Sequence, residues 1–148
     1  ISLWDETITK SKVKDVCEDI FASTFIEKLP NQYDSRIGER GMTISAGQRQ
    51  LLAFARTMAF EPSILILDEA TSSVDVETEY YIQLAIKKMV KKMTSIIIAH
   101  RLSTIQNVDR IYVIHKGENT ETGTHQELLT KRGIYYKLYQ VQYERQII

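Results

Sequence analysis

Two short, almost uninterrupted apolar runs, Ile64–Asp68 and Ser95–Ala99, flank a stretch of helical period, and this arrangement limits the fold more than any other feature of the chain. Both runs are too apolar for strands wetted on one side, so each is predicted to be buried on both faces. Between them, Val76 to about Lys91 sets Ile82, Ala85, Ile86 and Met89 on one face, with Asp75 as the N-cap. Lys87, Lys88, Lys91 and Lys92 near its end suit the negative pole of the helix dipole. Strand, helix, strand is the unit of a parallel sheet, so the chain reads as α/β. A third buried strand is predicted over Arg110–His115.

With 148 residues, 43% of them hydrophobic, the chain can build the core of one domain, with room for two lobes. Nineteen basic residues balance nineteen acidic ones, so no global field attracts nucleic acid or an anionic membrane. The lysines at 87–92 stand without interleaved aromatics and read as a solvated helix end. Cys17 is the sole cysteine, which excludes an intrachain disulfide and a cysteine-rich metal site and suits the cytosol. The longest apolar run falls far short of the roughly 20 residues that cross a bilayer. No basic-then-apolar leader opens the sequence. Contact with a membrane is therefore expected through a partner.

Upstream, Val13, Val16, Cys17, Ile20 and Phe21 predict an amphipathic helix, and Phe25, Ile26 and Leu29 a second, short one stopped by Pro30. Residues 31–48 hold three of the six glycines and read as a long structured loop. It leads into a helix with Leu51, Leu52, Ala55, Met58 and Ala59 on its apolar stripe, closed by Glu61-Pro62. Downstream, Thr124 and Glu127 match a capping box. The tail from Gly133 is amphipathic, with Ile134, Leu138 and Val141 at helical spacing and tyrosines expected to pack onto the sheet or a neighbour.

In a parallel sheet, ligands collect at the carboxyl ends of the strands, where Asp68 and Glu69 stand. One carboxylate there can hold Mg²⁺ that bridges phosphates, and the next can orient or deprotonate an attacking water. The same pair can equally be solvated turn residues or caps. His100 ends the second run; if the two strands are neighbours, its imidazole arrives near the acids and can meet a terminal phosphate. His115 and His125 have no such setting and read as ordinary surface or strand-end residues. In ISAGQRQ, residues 44–50, Ser45 offers a hydroxyl and Gly47 an amide at a helix N-terminus, a combination suited to phosphate. Ser45 as a helix cap and Gly47 as a turn residue explain the same letters. None of the six glycines lies in a loop ending in Lys-Ser or Lys-Thr, the usual cradle for nucleotide phosphates.

Taken in order, LPNQYDSRIGERG, ISAGQRQ, ILILDEATSSVD, IIIAHRLST and VDRIYVIHKGENTETGTHQELL resemble the carboxyl-terminal portion of the nucleotide-binding domain of an exporter-type ABC transporter. The resemblance implies the C-terminal part of a P-loop NTPase (RecA-like) fold, with part of the helical signature lobe at 1–60 and part of the α/β core at 61–148. It implies Asp68 as the Walker B aspartate supporting Mg²⁺, Glu69 as the catalytic glutamate, and His100 as the switch histidine at the γ-phosphate. Ser72, Ser73 and Asp75 match the D-loop. Ile44 through Gln48 match the signature motif, so Ser45, Gly47 and Gln48 would act on ATP held by an opposite subunit.

Two departures stand out. Ala46 replaces the usual signature glycine, and its methyl is expected to restrict the backbone and weaken engagement of the partner's nucleotide. The phosphate-binding loop and glutamine loop fall outside the matched motifs, so this chain alone is expected to be inactive and to self-associate through an unpaired strand edge. The implied partners are a second nucleotide-binding domain and transmembrane domains, at the cytoplasmic face of the cell membrane, with ATP and Mg²⁺ as cofactors. Two other readings fit less of the sequence. A non-catalytic module could lend its signature surface to a partner ATPase, while the ATPase heads of chromosome-maintenance proteins would bring heptad coiled coils that are absent here.

Overall fold

The Thr9 hydroxyl accepts the Lys12 N–H at 3.2 Å and starts the first helix, α1 (Lys10–Asp19). The computed structural model describes residues 1–2, 5–37, 44–68, 74–99 and 102–144. α1 stops short of the predicted Phe21 because Phe21 lies in the left-handed region at φ 65°, where a helix cannot continue. Ile20 is nevertheless fully buried at that turn. α2 (Ser23–Ile26) and a 3₁₀ turn at Gln32–Asp34 follow. α3 (Ala46–Ala59) buries Leu51, Phe54, Ala55, Met58 and Ala59 and leaves Leu52 partly buried, close to the predicted stripe. Glu61, at φ 49°, and Pro62 close it as expected.

β1 (Ile64–Asp68), α4 (Val76–Lys92) and β2 (Thr94–Ile98) form the anticipated strand–helix–strand, with β1 and β2 paired in parallel. The core that joins β1 and α4 to α1 and α3 contains Cys17, Ile20, Leu51, Leu65, Ile82 and Met89. Burial there pushes the Cys17 thiol up to about 11, so it behaves as a small apolar group rather than a nucleophile. At the rim, Asp19 pairs with Lys92 and with Lys88 at 3.5 Å, and the Lys88 ammonium sits 4.6 Å from the centre of the Phe21 ring. These exposed pairs orient α4 on α1 more than they stabilise the fold.

The expectation that both strands would be buried on both faces is met on one side only. Leu65 is buried and Leu67 partly so, whereas Ile64, Ile66, Ile96 and Ile98 are between 53% and 67% exposed. Side chains alternate along a strand, so the four isoleucines belong to the face turned away from the core. Within the first unit, none of the described residues covers that face at Ile64, Ile66 and Ile96.

The chain divides into two compact units, 1–96 and 97–148, with β2 running through the division. The second unit holds α5 (Leu102–Ile105), β3 (Ile111–His115), β4 (Glu118–Gly123), α6 (His125–Lys131) and α7 (Ile134–Glu144). β3 and β4 make an antiparallel hairpin in which Ile111 faces Gly123 and His115 faces Glu118, with a bulge between Val113 and Ile114. Lys116 (φ 52°) and Gly117 (φ 84°) supply the two left-handed residues that a tight hairpin turn demands. The polar sequence of β4 gives no apolar alternation, so only this turn and the pairing reveal it.

The capping box before α6 is present: Glu127 N–H donates to the Thr124 hydroxyl, and Thr124 N–H to the Glu127 carboxylate. The stripe expected on α7 is shifted. Tyr135 is the fully buried residue and packs with Ile111, Val113 and Leu128, while Leu138 and Val141 are about half exposed. Three polar contacts fix that rotation. The Tyr135 hydroxyl lies 2.7 Å from His125 Nδ1, and the Glu121 carboxylate accepts the N–H groups of Ile134 (2.5 Å) and Tyr135 (3.2 Å) at the start of α7. Gly133 leaves room for that carboxylate, since a Cβ there would fall 2.7 Å from Glu121 Cδ.

Candidate functional site

Helix α3 begins with a complete capping box. Gln48 N–H donates to Ser45 Oγ at 3.2 Å, and Ser45 N–H donates to Gln48 Oε1 at 3.0 Å. The Arg49 guanidinium donates to the Ile44 carbonyl at 2.8 Å and holds the entering chain. The capping role read for Ser45 is therefore realised, and it is compatible with ligand binding. A hydroxyl that accepts one N–H still has its own proton to donate. The box uses neither the Ala46 nor the Gly47 amide, and both point from the positive end of a 14-residue helix.

Ala46 is the first residue of α3 and is exposed, so its methyl causes no crowding inside this subunit and sits on backbone that alanine favours. The backbone restriction expected from replacing glycine does not arise here. Gly47, by contrast, is buried. A Cβ on it would stand 2.7 Å from Val74 Cγ1 and closer still to Thr78 Cγ2. Glycine at 47 thus serves close approach of α3 to α4 rather than a turn.

α4 opens beside it. Asp75 accepts the Thr78 N–H at 2.9 Å, and this bond, followed by one from the Thr78 hydroxyl, holds the Asp75 carboxyl below the usual carboxylate range. Asp75, matched to the D-loop by sequence, is thus a helix cap. Asp68 is exposed at the carboxyl end of β1, and Ile98 closes the parallel neighbour β2 at the same end. The neighbouring of these strands meets the condition on which the reading of His100 depended. Glu69, Ser72, Ser73 and His100 themselves lie outside the described residues. Val74 and Thr78 were missed by sequence reading, because only the packing on Gly47 distinguishes them.

Among the described residues no cluster of three or more His, Cys, Asp or Glu could enclose a metal ion. A lone exposed carboxylate such as Asp68 still fits Mg²⁺, which keeps several waters and takes one or two protein carboxylates with phosphate oxygens. No helix of the described residues is long and apolar enough to cross a membrane.

The family model described as ABC transporter matches residues 3–72, a span that includes both the α3 N-terminus and Asp68. In a solved structure of a bacterial Atm1-family ABC exporter with ATP bound, 91% of this chain superposes at TM-score 0.79 and 38% identity, over 24% of that chain. The chain belongs to the ABC transporter ATPases. Its parallel strand pair and flanking helices match the ABC ATPase P-loop fold. Among curated relatives, the ABC transporter ATP-binding protein YknU of Bacillus subtilis is 52% identical over 82% of this chain and 21% of its own length. The ATP-dependent lipid A-core flippase of Chromohalobacter salexigens is 46% identical over 91% of this chain and 23% of its own length. This ABC ATPase chain therefore spans between a tenth and a quarter of the curated relatives it matches.

Proposed function

We propose that this chain is the part of an exporter's ATPase domain that acts on the phosphate end of Mg-ATP within a head-to-tail dimer, coupling hydrolysis to movement of transmembrane domains at the cytoplasmic face of the membrane. One observation carries the reading: the α3 N-terminus, with the Ser45 hydroxyl exposed and the Ala46 and Gly47 amides left over from the capping box, is packed against the start of α4. A helix N-terminus with an exposed hydroxyl is a phosphate site in search of its anion. In this reading residues 1–60 belong to the helical lobe and 61–148 to the α/β core.

Each residue then has one task. Asp68 holds Mg²⁺, which when bound neutralises charge on the phosphates. Glu69 orients and deprotonates water, and His100 meets the γ-phosphate. Ser45, Gly47 and Gln48 close on nucleotide held by the other subunit: Ser45 by its hydroxyl, Gly47 by its amide, Gln48 by keeping the box in register. The lipid A-core flippase and the Atm1-family exporter with ATP bound support an exporter setting.

The 148 residues contain no Lys-Ser or Lys-Thr phosphate loop, so Mg-ATP should bind this chain alone with a dissociation constant weaker than about 1 mM, and without turnover. Calorimetric titration checks this; micromolar affinity would contradict the proposed division of labour. The uncovered Ile64, Ile66, Ile96 and Ile98 should also make the chain self-associate. Size-exclusion chromatography with light scattering is expected to give a mass that rises with concentration. A concentration-independent monomer would rule this out.

A further inference from the structure

We propose that Thr78, in the first turn of α4, is a positioning residue for the α3 amides assigned above to a partner's nucleotide. The inference rests on that assignment and adds what holds the amides in place. Gly47 is buried at the second helical position of α3, and the atoms that a Cβ would strike are Thr78 Cγ2, Val74 Cγ1 and Thr78 Cβ. Backbone of α3 therefore rests directly on two β-branched side chains, Thr78 in the first turn of α4 and Val74 just before its cap, with no flexible group between them. Val74 is itself packed against the main core.

Thr78 is held from its other side. Its N–H donates to Asp75 Oδ1 at 2.9 Å, which ties the Thr78 backbone to the helix cap. A β-branched residue has little freedom at χ1, so the capped backbone and the contact under Gly47 leave the methyl little play. The methyl under Gly47 is thereby tied to Asp75, the last residue of SSVD. Ser45 and Ala46, the preceding residues of the same turn, are exposed. Thr78 touches no ligand in this arrangement. It acts through the Gly47 backbone, setting the direction of N–H groups whose value to an anion depends on alignment.

This joint makes the signature turn and the end of the D-loop one mechanical unit inside a single subunit. A shift of Asp75 moves Thr78, and a shift of Thr78 moves the amides. Dense packing transmits such displacements because the contact has no slack.

The test uses a full-length subunit that carries this sequence together with a phosphate-binding loop, and measures kcat and KM for ATP. Thr78→Ala, which removes methyl and hydroxyl together, is expected to lower kcat about tenfold, the scale of a misplaced binding group. KM should stay within about twofold, because ATP is first held by its own subunit's loop. Thr78→Val restores the methyl and should recover most of kcat; Thr78→Ser restores only the hydroxyl and should not. A merely structural role would lower the melting temperature and the yield of folded subunit, not kcat per folded subunit at near-native KM. A native kcat in Thr78→Ala, or recovery by serine instead of valine, would overturn the proposal. Ser45→Ala separates it from its foundation. A loss of kcat there with Thr78→Ala unaffected would overturn the positioning role alone, while an unchanged kcat in Ser45→Ala would overturn the signature assignment and the positioning role with it.

Discussion

Replacing Glu69 with glutamine, in a full-length subunit carrying this sequence, is expected to lower ATP turnover by about 10²–10⁴-fold while leaving Mg-ATP binding in place. Glutamine keeps the size of the side chain and its capacity to accept a hydrogen bond, so nucleotide and cation lose little. What it cannot do is take a proton from water as the phosphorus–oxygen bond breaks. Asp68 supplies the contrast, since Asp68→Asn removes charge next to Mg²⁺ and should weaken binding of the Mg-nucleotide itself. Phosphate release at saturating ATP and equilibrium binding, measured on the same preparations, separate the two carboxylates. Turnover within about twofold of native in Glu69→Gln would exclude the assigned role. It would then favour a module that lends its signature surface without hydrolysing.

The two carboxylates proposed above as a site stand out in the sequence because local chemistry marks them. An apolar run that ends in adjacent acids, and Asp75 three residues before the N–H it caps, are both encoded within one turn of chain. For the same reason α4 and the Thr124–Glu127 capping box emerged where the sequence put them. What failed to emerge depends on partners distant in sequence. β4 has no apolar alternation of its own and exists because Lys116 and Gly117 turn the chain back onto β3. The rotation of α7 is set by His125 and Glu121, ten and fourteen residues from Tyr135, so helical spacing alone selected Leu138 and Val141 in its place. Gly47 was read as a phosphate-facing amide or a turn residue, and neither reading contains the Thr78 methyl beneath it. The exposed isoleucines of β1 and β2 are the opposite case. Their composition specifies a second covering layer, and one face alone is covered by the described residues.

Truncating Leu128 to alanine is expected to destabilise the second unit by about 2–5 kcal/mol, the cost of deleting a fully buried leucine and leaving its cavity. The size of the unit makes this decisive. About fifty residues at roughly 0.05–0.15 kcal/mol each give a total of only about 3–8 kcal/mol, so one core residue can account for most of it. The buried cluster there consists of Ile111, Val113, Leu128 and Tyr135, and Leu128 is the one with no exposed surface. It reaches across from α6 to residues of β3 and α7, so no neighbour on its own helix can replace it. Leu128→Met conserves volume and flexibility and should cost less than about 1.5 kcal/mol. Amide hydrogen exchange over residues 111–144 reads the difference: protection of β3, β4 and α7 should collapse in Leu128→Ala and largely survive in Leu128→Met. Native protection in the alanine variant would mean that the hairpin, α6 and α7 are held by something other than this small core.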